Sequence, residues 1–253
     1  MKSFVRLLAC ITVIALPASA GAQTKTWKDQ LELSYVQTGG NSRTQTLRLK
    51  NNAEYLFTNR LAGKWLVDLI YGETGGEQNA GHYMTELRLD YRLLDRLFVY
   101  GLGGAVKDNF AGIDGRYYTG AGLGYRVLAG PTHTLVVEAG ANYNVERYTP
   151  TLNPAPPPKY LIPPINESFV MGRFFGKYVF AFTEKSNFSQ SVEYLPNLKE
   201  TIDYVLISET ALTAAMTGYL SLKFSYTLKY DQEPAGTAGR TDTIVSAAVV
   251  VTL

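Results

Sequence analysis

A two-residue alternation of apolar and polar side chains returns in segment after segment from residue 30 to residue 253. Over residues 46–57, Thr46, Arg48, Lys50, Asn52 and Glu54 share one parity, while Leu47, Leu49, Ala53, Tyr55 and Phe57 share the other. Successive side chains of a strand point to opposite faces, so this segment reads as a strand with one apolar and one charged face. The pattern recurs at 82–93, where His82, Glu86, Arg88, Asp90 and Arg92 oppose Tyr83, Leu87, Leu89, Tyr91 and Leu93. It recurs again at 220–230, where Ser221, Lys223, Ser225, Thr227 and Lys229 oppose Leu220, Leu222, Phe224, Tyr226, Leu228 and Tyr230.

Alternation read against turn signals predicts twelve strands, near 28–38, 43–58, 61–72, 82–93, 97–107, 115–128, 133–146, 167–181, 186–195, 200–214, 218–230 and 241–253. The even-numbered links are tight, around Asn59-Arg60, Leu94-Asp95-Arg96, Ala129-Gly130-Pro131-Thr132, Thr183-Glu184-Lys185 and Ala215-Met216-Thr217. The odd-numbered links include the long ones, at 73–81, 108–114, 147–166 and 231–240; the exception is the tight turn Gly39-Gly40-Asn41-Ser42. Short turns at one end and longer loops at the other are the asymmetry of an outer-membrane β-barrel. The expectation is therefore an all-β, transmembrane, antiparallel up-and-down barrel of about twelve strands, with ten or fourteen as alternatives. An even count places both termini in the periplasm. The longest link gathers Pro150, Pro154, Pro156, Pro157, Pro158, Pro163 and Pro164, which reads as an extended surface loop.

Export is written ahead of the strands. Lys2 and Arg6 precede an apolar run from Leu7 to Leu16, followed by Ala18-Ser19-Ala20 and Ala20-Gly21-Ala22. This is the order of a secretory signal peptide over residues 1–22, leaving Gln23 first in a barrel domain of 23–253. Spanning as a helix needs roughly 20 apolar residues, more than this run supplies. Cys10, the one cysteine, lies inside the signal. The Leu7-Leu8-Ala9-Cys10 string resembles a lipidation box but comes too early, before the apolar run ends.

Lys2 and Arg6 account for the formal surplus of +2; without them 22 basic residues face 22 acidic ones. That balance carries no basic stripe for nucleic acid. Eighteen tyrosines point instead to interfacial girdles in a bilayer.

A cation on the lipid face at mid-membrane costs roughly 2–4 kcal/mol. Arg48, Lys50, Arg88, Lys223 and Lys229 are therefore expected to face the lumen, with Glu54, Asp68, Glu86, Asp90, Glu138, Asn142, Asn144, Glu193, Asp203 and Glu209 as companions. They read as a mutually paired polar interior or as a mixed-charge aqueous path. Gly101, Gly103 and Gly104, then Gly120, Gly122 and Gly124, crowd the fifth and sixth strands, where curvature or an inward-folded loop would call for them.

Chemistry is sparsely provided. His82 and His133 are the two histidines; a hydrolase would need one of them beside a serine such as Ser208 or Ser221. An up-and-down strand order keeps His82 apart from both serines. No cofactor or metal site is expected, since two separated histidines and no mature cysteine supply no ligand cluster. Loop carboxylates at Glu73, Glu77, Asp108 and Asp114 offer at most weak contact with cations bridging lipopolysaccharide. A soluble barrel or sandwich, charged outside and apolar inside, is the remaining alternative fold.

Residues 27–52, with L-E-L-S-Y-V-Q-T-G-G-N-S-R-T-Q-T-L at 31–47, resemble the opening of an uncharacterised family of salt-induced outer membrane proteins of unknown function. D-Y-V-L-I-S-E-T-A-L at 203–212 fits it too, as do Tyr230-Asp231, Pro234-Ala235-Gly236 and Thr241-Asp242-Thr243 in that order. The resemblance implies an outer-membrane barrel with a salt or osmotic link and carries over no functional residues. The Pro-rich loop departs from the family. Leu253 stands where outer-membrane barrels in general commonly end on an aromatic residue read by the barrel-assembly machinery.

The sequence reading is a monomer in the bacterial outer membrane, with lipid and lipopolysaccharide around it and no catalytic residues. Its expected role is a narrow channel for small polar solutes. The alternatives are a closed-lumen barrel for envelope integrity or an outer-membrane lipid hydrolase.

Overall fold

In the computed structural model, the described residues are 26–37, 44–74, 77–108, 113–148, 151–152, 161–162, 166–200, 202–234 and 239–253. The signal segment, the Gly39-Gly40-Asn41-Ser42 turn and the seven loop prolines lie outside them. The chain order is β1 (Trp27–Gln37), β2 (Thr44–Leu56), β3 (Leu61–Thr74), β4 (Glu77–Arg92), β5 (Leu97–Asp108), β6 (Ile113–Ala129) and β7 (His133–Tyr148). There follow β8 (Thr151–Leu152), β9 (Leu161–Ile162), β10 (Asn166–Ala181), β11 (Asn187–Pro196), β12 (Tyr204–Ala215), β13 (Leu220–Asp231) and β14 (Thr241–Thr252).

Twelve of these strands close into one antiparallel barrel, each paired with its sequence neighbours, β7 with β10, and β1 with β14. β8 and β9 form a separate two-stranded ladder, so the long connection expected to be without strands carries a small hairpin of its own. The link expected at 73–81 is mostly strand. The β3–β4 ladder runs up to Thr74 opposite Glu77, with a bulge at Gly72/Glu73 that absorbs the irregular parity there.

The alternation has the physical sense that a membrane demands. Leu33, Trp65, Leu87, Leu89, Leu123, Val137, Tyr143, Phe174, Val192, Leu212, Phe224 and Val245 are exposed and sit on the parity opposite the charges, round the whole barrel. Leu87 is 64% and Val245 76% exposed, which excludes the soluble alternative: an apolar belt this large needs an apolar medium. Where the belt carries a polar atom, it is satisfied locally, as when Trp65 Nε1 donates to Thr85 Oγ1 at 3.0 Å. Aromatic contacts gather at both ends of the strands. Trp27, Tyr55 and Phe57 meet beside the short turns, as do His133, Phe180 and Phe182; Tyr194, Tyr204 and Tyr230 meet at the other end.

Inside, the apolar cluster is one-sided: Phe98, Tyr100 and Leu102 of β5 are buried, with Tyr118 and Val136 against them. The strand glycines seat these rings. A Cβ on Gly124 would come within 2.1 Å of the Phe98 ring, and one on Gly122 within 2.5 Å of the Tyr100 hydroxyl. One on Gly104 would meet Tyr118 at 2.5 Å. The close approach is thus made by aromatic side chains of neighbouring strands lying against a glycine pavement.

Candidate functional site

The distinctive chemistry of this chain is in the barrel interior, where bonds link strands that are not neighbours in the sheet. A contact between such strands bridges the concave side of a closed wall. Lys50 on β2 reaches Glu209 on β12 at 3.4 Å, past β1, β14 and β13. Lys223 on β13 binds Glu32 on β1 at 3.1 and 3.0 Å, and Glu209 at 3.2 Å. Beside them Arg48 holds Asp68 through two bonds, at 2.9 and 2.7 Å. These residues form one charged wall, on β1, β2, β3, β12 and β13.

A second wall covers the glycine pavement. Arg88 on β4 grips both oxygens of Glu138 on β7, at 2.9 and 2.7 Å, and donates to Asp90 at 2.6 Å. Arg173 on β10 donates to Glu138 at 2.6 Å, to Glu193 at 2.6 Å and to the Tyr100 hydroxyl at 3.0 Å. Lys64 joins Asp90 at 2.7 Å, and Tyr118 donates to Glu86 at 2.8 Å. The Arg88 guanidinium lies 4.2 Å over the Tyr100 ring, which lies against the glycines. Glu138, with 4% of its side chain exposed, is thereby the acceptor for two arginines.

The remaining expected residues are looser. Glu54 stands in register opposite Lys28 and Lys64, and Lys229 opposite Asp242; neither makes an ion pair among the described residues. Asp203 lies just ahead of its expected strand, which starts at Tyr204 and not at residue 200, and its carboxylate accepts from Asn197 Nδ2 at 2.9 Å. The Asn197 N–H also donates to the Asp203 carbonyl at 2.9 Å, so the chain turns there before the strand begins. Asn142 and Asn144 are both buried, with Asn142 Oδ1 unpartnered among the described residues.

Six participants are not among the residues expected from the sequence: Glu32, Lys64, Tyr100, Tyr118, Arg173 and Lys177. The stretch Gly172-Arg173-Phe174-Phe175-Gly176-Lys177-Tyr178 puts aromatic residues on both parities, which blurs the alternation. The i, i+4 spacing of Arg173 and Lys177 on one parity was the signal available. Lys177 is unlike the other interior cations. It shares the inward register, faces Lys50, Glu209, Lys223 and Glu32, and yet remains exposed. Among the described residues it makes no hydrogen bond or ion pair.

The histidines are otherwise engaged. His82 Nδ1 lies 3.0 Å from Asp108, and His133 Nδ1 lies 2.8 Å from the Tyr178 hydroxyl while stacking on Phe180. No group of three His, Cys, Asp or Glu side chains assembles as a metal site among the described residues.

Residues 31–253 match a family described as "Protein of unknown function, DUF481". The chain belongs to the DUF481 family. A similar protein, the uncharacterized protein YdiY of Escherichia coli (strain K12), is 24% identical over 227 residues, spanning 90% of this chain and 82% of that one. Among solved structures, the DUF481 barrel resembles the translocator domain of the autotransporter NalP from Neisseria meningitidis. The two are 12% identical, with 99% of this chain and 94% of that one covered and a TM-score of 0.55. It also resembles an outer membrane channel from Pseudomonas putida F1 at 9% identity, covering 94% and 99%, with a TM-score of 0.51. These likenesses show the fold of an outer-membrane β-barrel. The DUF481 description carries no salt-induced label and assigns no substrate.

Proposed function

We propose that this DUF481 barrel is a narrow bacterial outer-membrane channel for small polar solutes, exported by its signal segment and set with both termini in the periplasm. The observation that carries the reading is Lys177, a charged side chain on the inward register that stays exposed between two ion-paired walls. Among the described residues no hydrogen bond or ion pair joins the Lys50–Glu209–Lys223–Glu32 set to the Arg88–Glu138–Arg173 set across the space between them. Water-filled space lined by both signs of charge suits small hydrophilic solutes. That a fold relative is an outer-membrane channel agrees with this.

The deciding experiment is single-channel recording of refolded protein in planar bilayers. Discrete steps that scale with salt concentration support the channel. Silence from protein shown to be inserted favours the second reading, a closed barrel for envelope integrity, to which the density of two-pronged arginine pairs lends weight. The export step predicts a mature protein whose intact mass begins at Gln23. The salt or osmotic link belongs to the proposal as well, and protein levels unchanged across a NaCl series would remove it.

A further inference from the structure

We infer that the lumen holds an anion site centred on the Lys177 ammonium, which takes the carboxylate or phosphate group of a passing small solute. Three lysines, Lys50, Lys177 and Lys223, converge on two carboxylates, Glu32 and Glu209. Lys223 uses both oxygens of Glu32 and one of Glu209, and Lys50 takes the other Glu209 oxygen. Asp68 is no help, because Arg48 occupies both its oxygens. Glu209 lies on the same rung as Lys177, with Ser191 between them, yet it makes no bond to that ammonium. Each oxygen of Glu32 and Glu209 already accepts from Lys50 or Lys223, and three ammonium groups outnumber the two carboxylates.

Lys177 therefore brings an uncompensated positive charge and three hydrogen-bond donors into accessible space. An oxyanion supplies both the charge and the acceptors, and a charge set against protein is felt more strongly than one in open water. Lys50, held to Glu209 by the longest of these contacts, is the second donor such a ligand would draw on. The opposite wall does not compete. There Glu86, Asp90, Glu138 and Glu193 face Arg88, Arg173 and Lys64, and each of these cations already has a carboxylate. An anion is thus held to one side of the lumen.

The transport meaning of this site rests on the channel reading; binding does not, and the test separates them. The refolded barrel and its Lys177→Gln and Lys177→Glu variants are titrated in micelles with inorganic phosphate, followed by phosphorus NMR line width. They are then compared in bilayers by reversal potential under a KCl gradient. Neither substitution breaks an ion pair, and circular dichroism with heat-modifiable gel migration reports folding; Lys177→Met stands in if a variant fails to fold. Expected are saturable phosphate binding at least about tenfold weaker in Lys177→Gln, the loss of one charge-assisted hydrogen bond, and an anion preference abolished by Gln and inverted by Glu. Phosphate binding that is absent, or equal in wild type and Gln, overturns the site, and conductance persisting in that case leaves the channel standing. Silent bilayers with Lys177-dependent phosphate binding keep the site and remove the channel.

Discussion

Glu138 shows what a single side chain holds in this interior. It accepts from Arg88 and Arg173, and both guanidinium groups also lie over Tyr100. Removing one partner of a buried pair leaves charge without compensation, at a cost of about 3–5 kcal/mol. Glu138→Ala is expected to lower unfolding stability by that order in urea titrations of vesicle-reconstituted protein; a loss below about 1 kcal/mol would show that water screens these arginines. The glycines make a sharper comparison. Gly124→Ala drives a methyl into the Phe98 ring and should cost about 1–3 kcal/mol. Gly101→Ala, whose nearest atom is 4.0 Å away, should cost little. Equal effects in the same titration would mean that the rings shift freely. The pairing also changes how charge reversal is read. Lys50→Glu with Lys223→Glu, the reversal that the alternation suggests, would set new carboxylates against Glu32 and Glu209, whereas Lys177 changes sign without breaking a bond.

At the scale of strands, the sequence was legible wherever one face had to be apolar and the other charged. β2 and β13 fall within a few residues of their expected spans, because lipid on one side and ion pairs on the other enforce the period; β4 ends where expected but starts earlier, at Glu77. β10 hid Arg173 and Lys177, since Phe175 takes an inward place and its ring serves as a platform for Arg173. β12 starts later than expected because the preceding turn carries strand-like parity for a few residues. Which cation meets which acid was not legible at all. Those partners have up to three strands between them, and curvature, not sequence spacing, brings them together. The strands also differ in grip. The β1–β14 register covers Gln30–Ser34 against Ala248–Thr252, while β6 and β7 pair over most of their lengths. Amide exchange should therefore be faster at Leu31 and Leu33 than at Val137 and Ala139 in hydrogen-exchange mass spectrometry. Equal protection would place the seam's stability outside its ladder.

For the whole molecule, the apolar belt is a statement about its solvent. Trp27 begins β1 at the girdle, while Trp65 stands further along β3 within the belt. In vesicles of lipid brominated along the acyl chains, fluorescence of a Trp27→Phe variant, reporting Trp65, should be quenched more strongly than that of Trp65→Phe. Weak quenching of both would deny the belt its lipid. The glycine-paved side and the lysine side make a lumen of unequal walls, one stiffened by aromatic rings and the other laced by flexible lysines. The seam adds an order of events in time. Leu253 exchanges backbone hydrogen bonds with Asp29, at 3.3 and 3.0 Å, so the ring closes only when β14 exists. Ten barrel strands lie between the two that must meet. Such distant pairings carry the largest loop-closure entropy and form slowly. The chain must therefore be fully translated and kept from pairing wrongly before it can become a barrel, which makes the escort to the membrane as much a condition of the fold as any contact inside it.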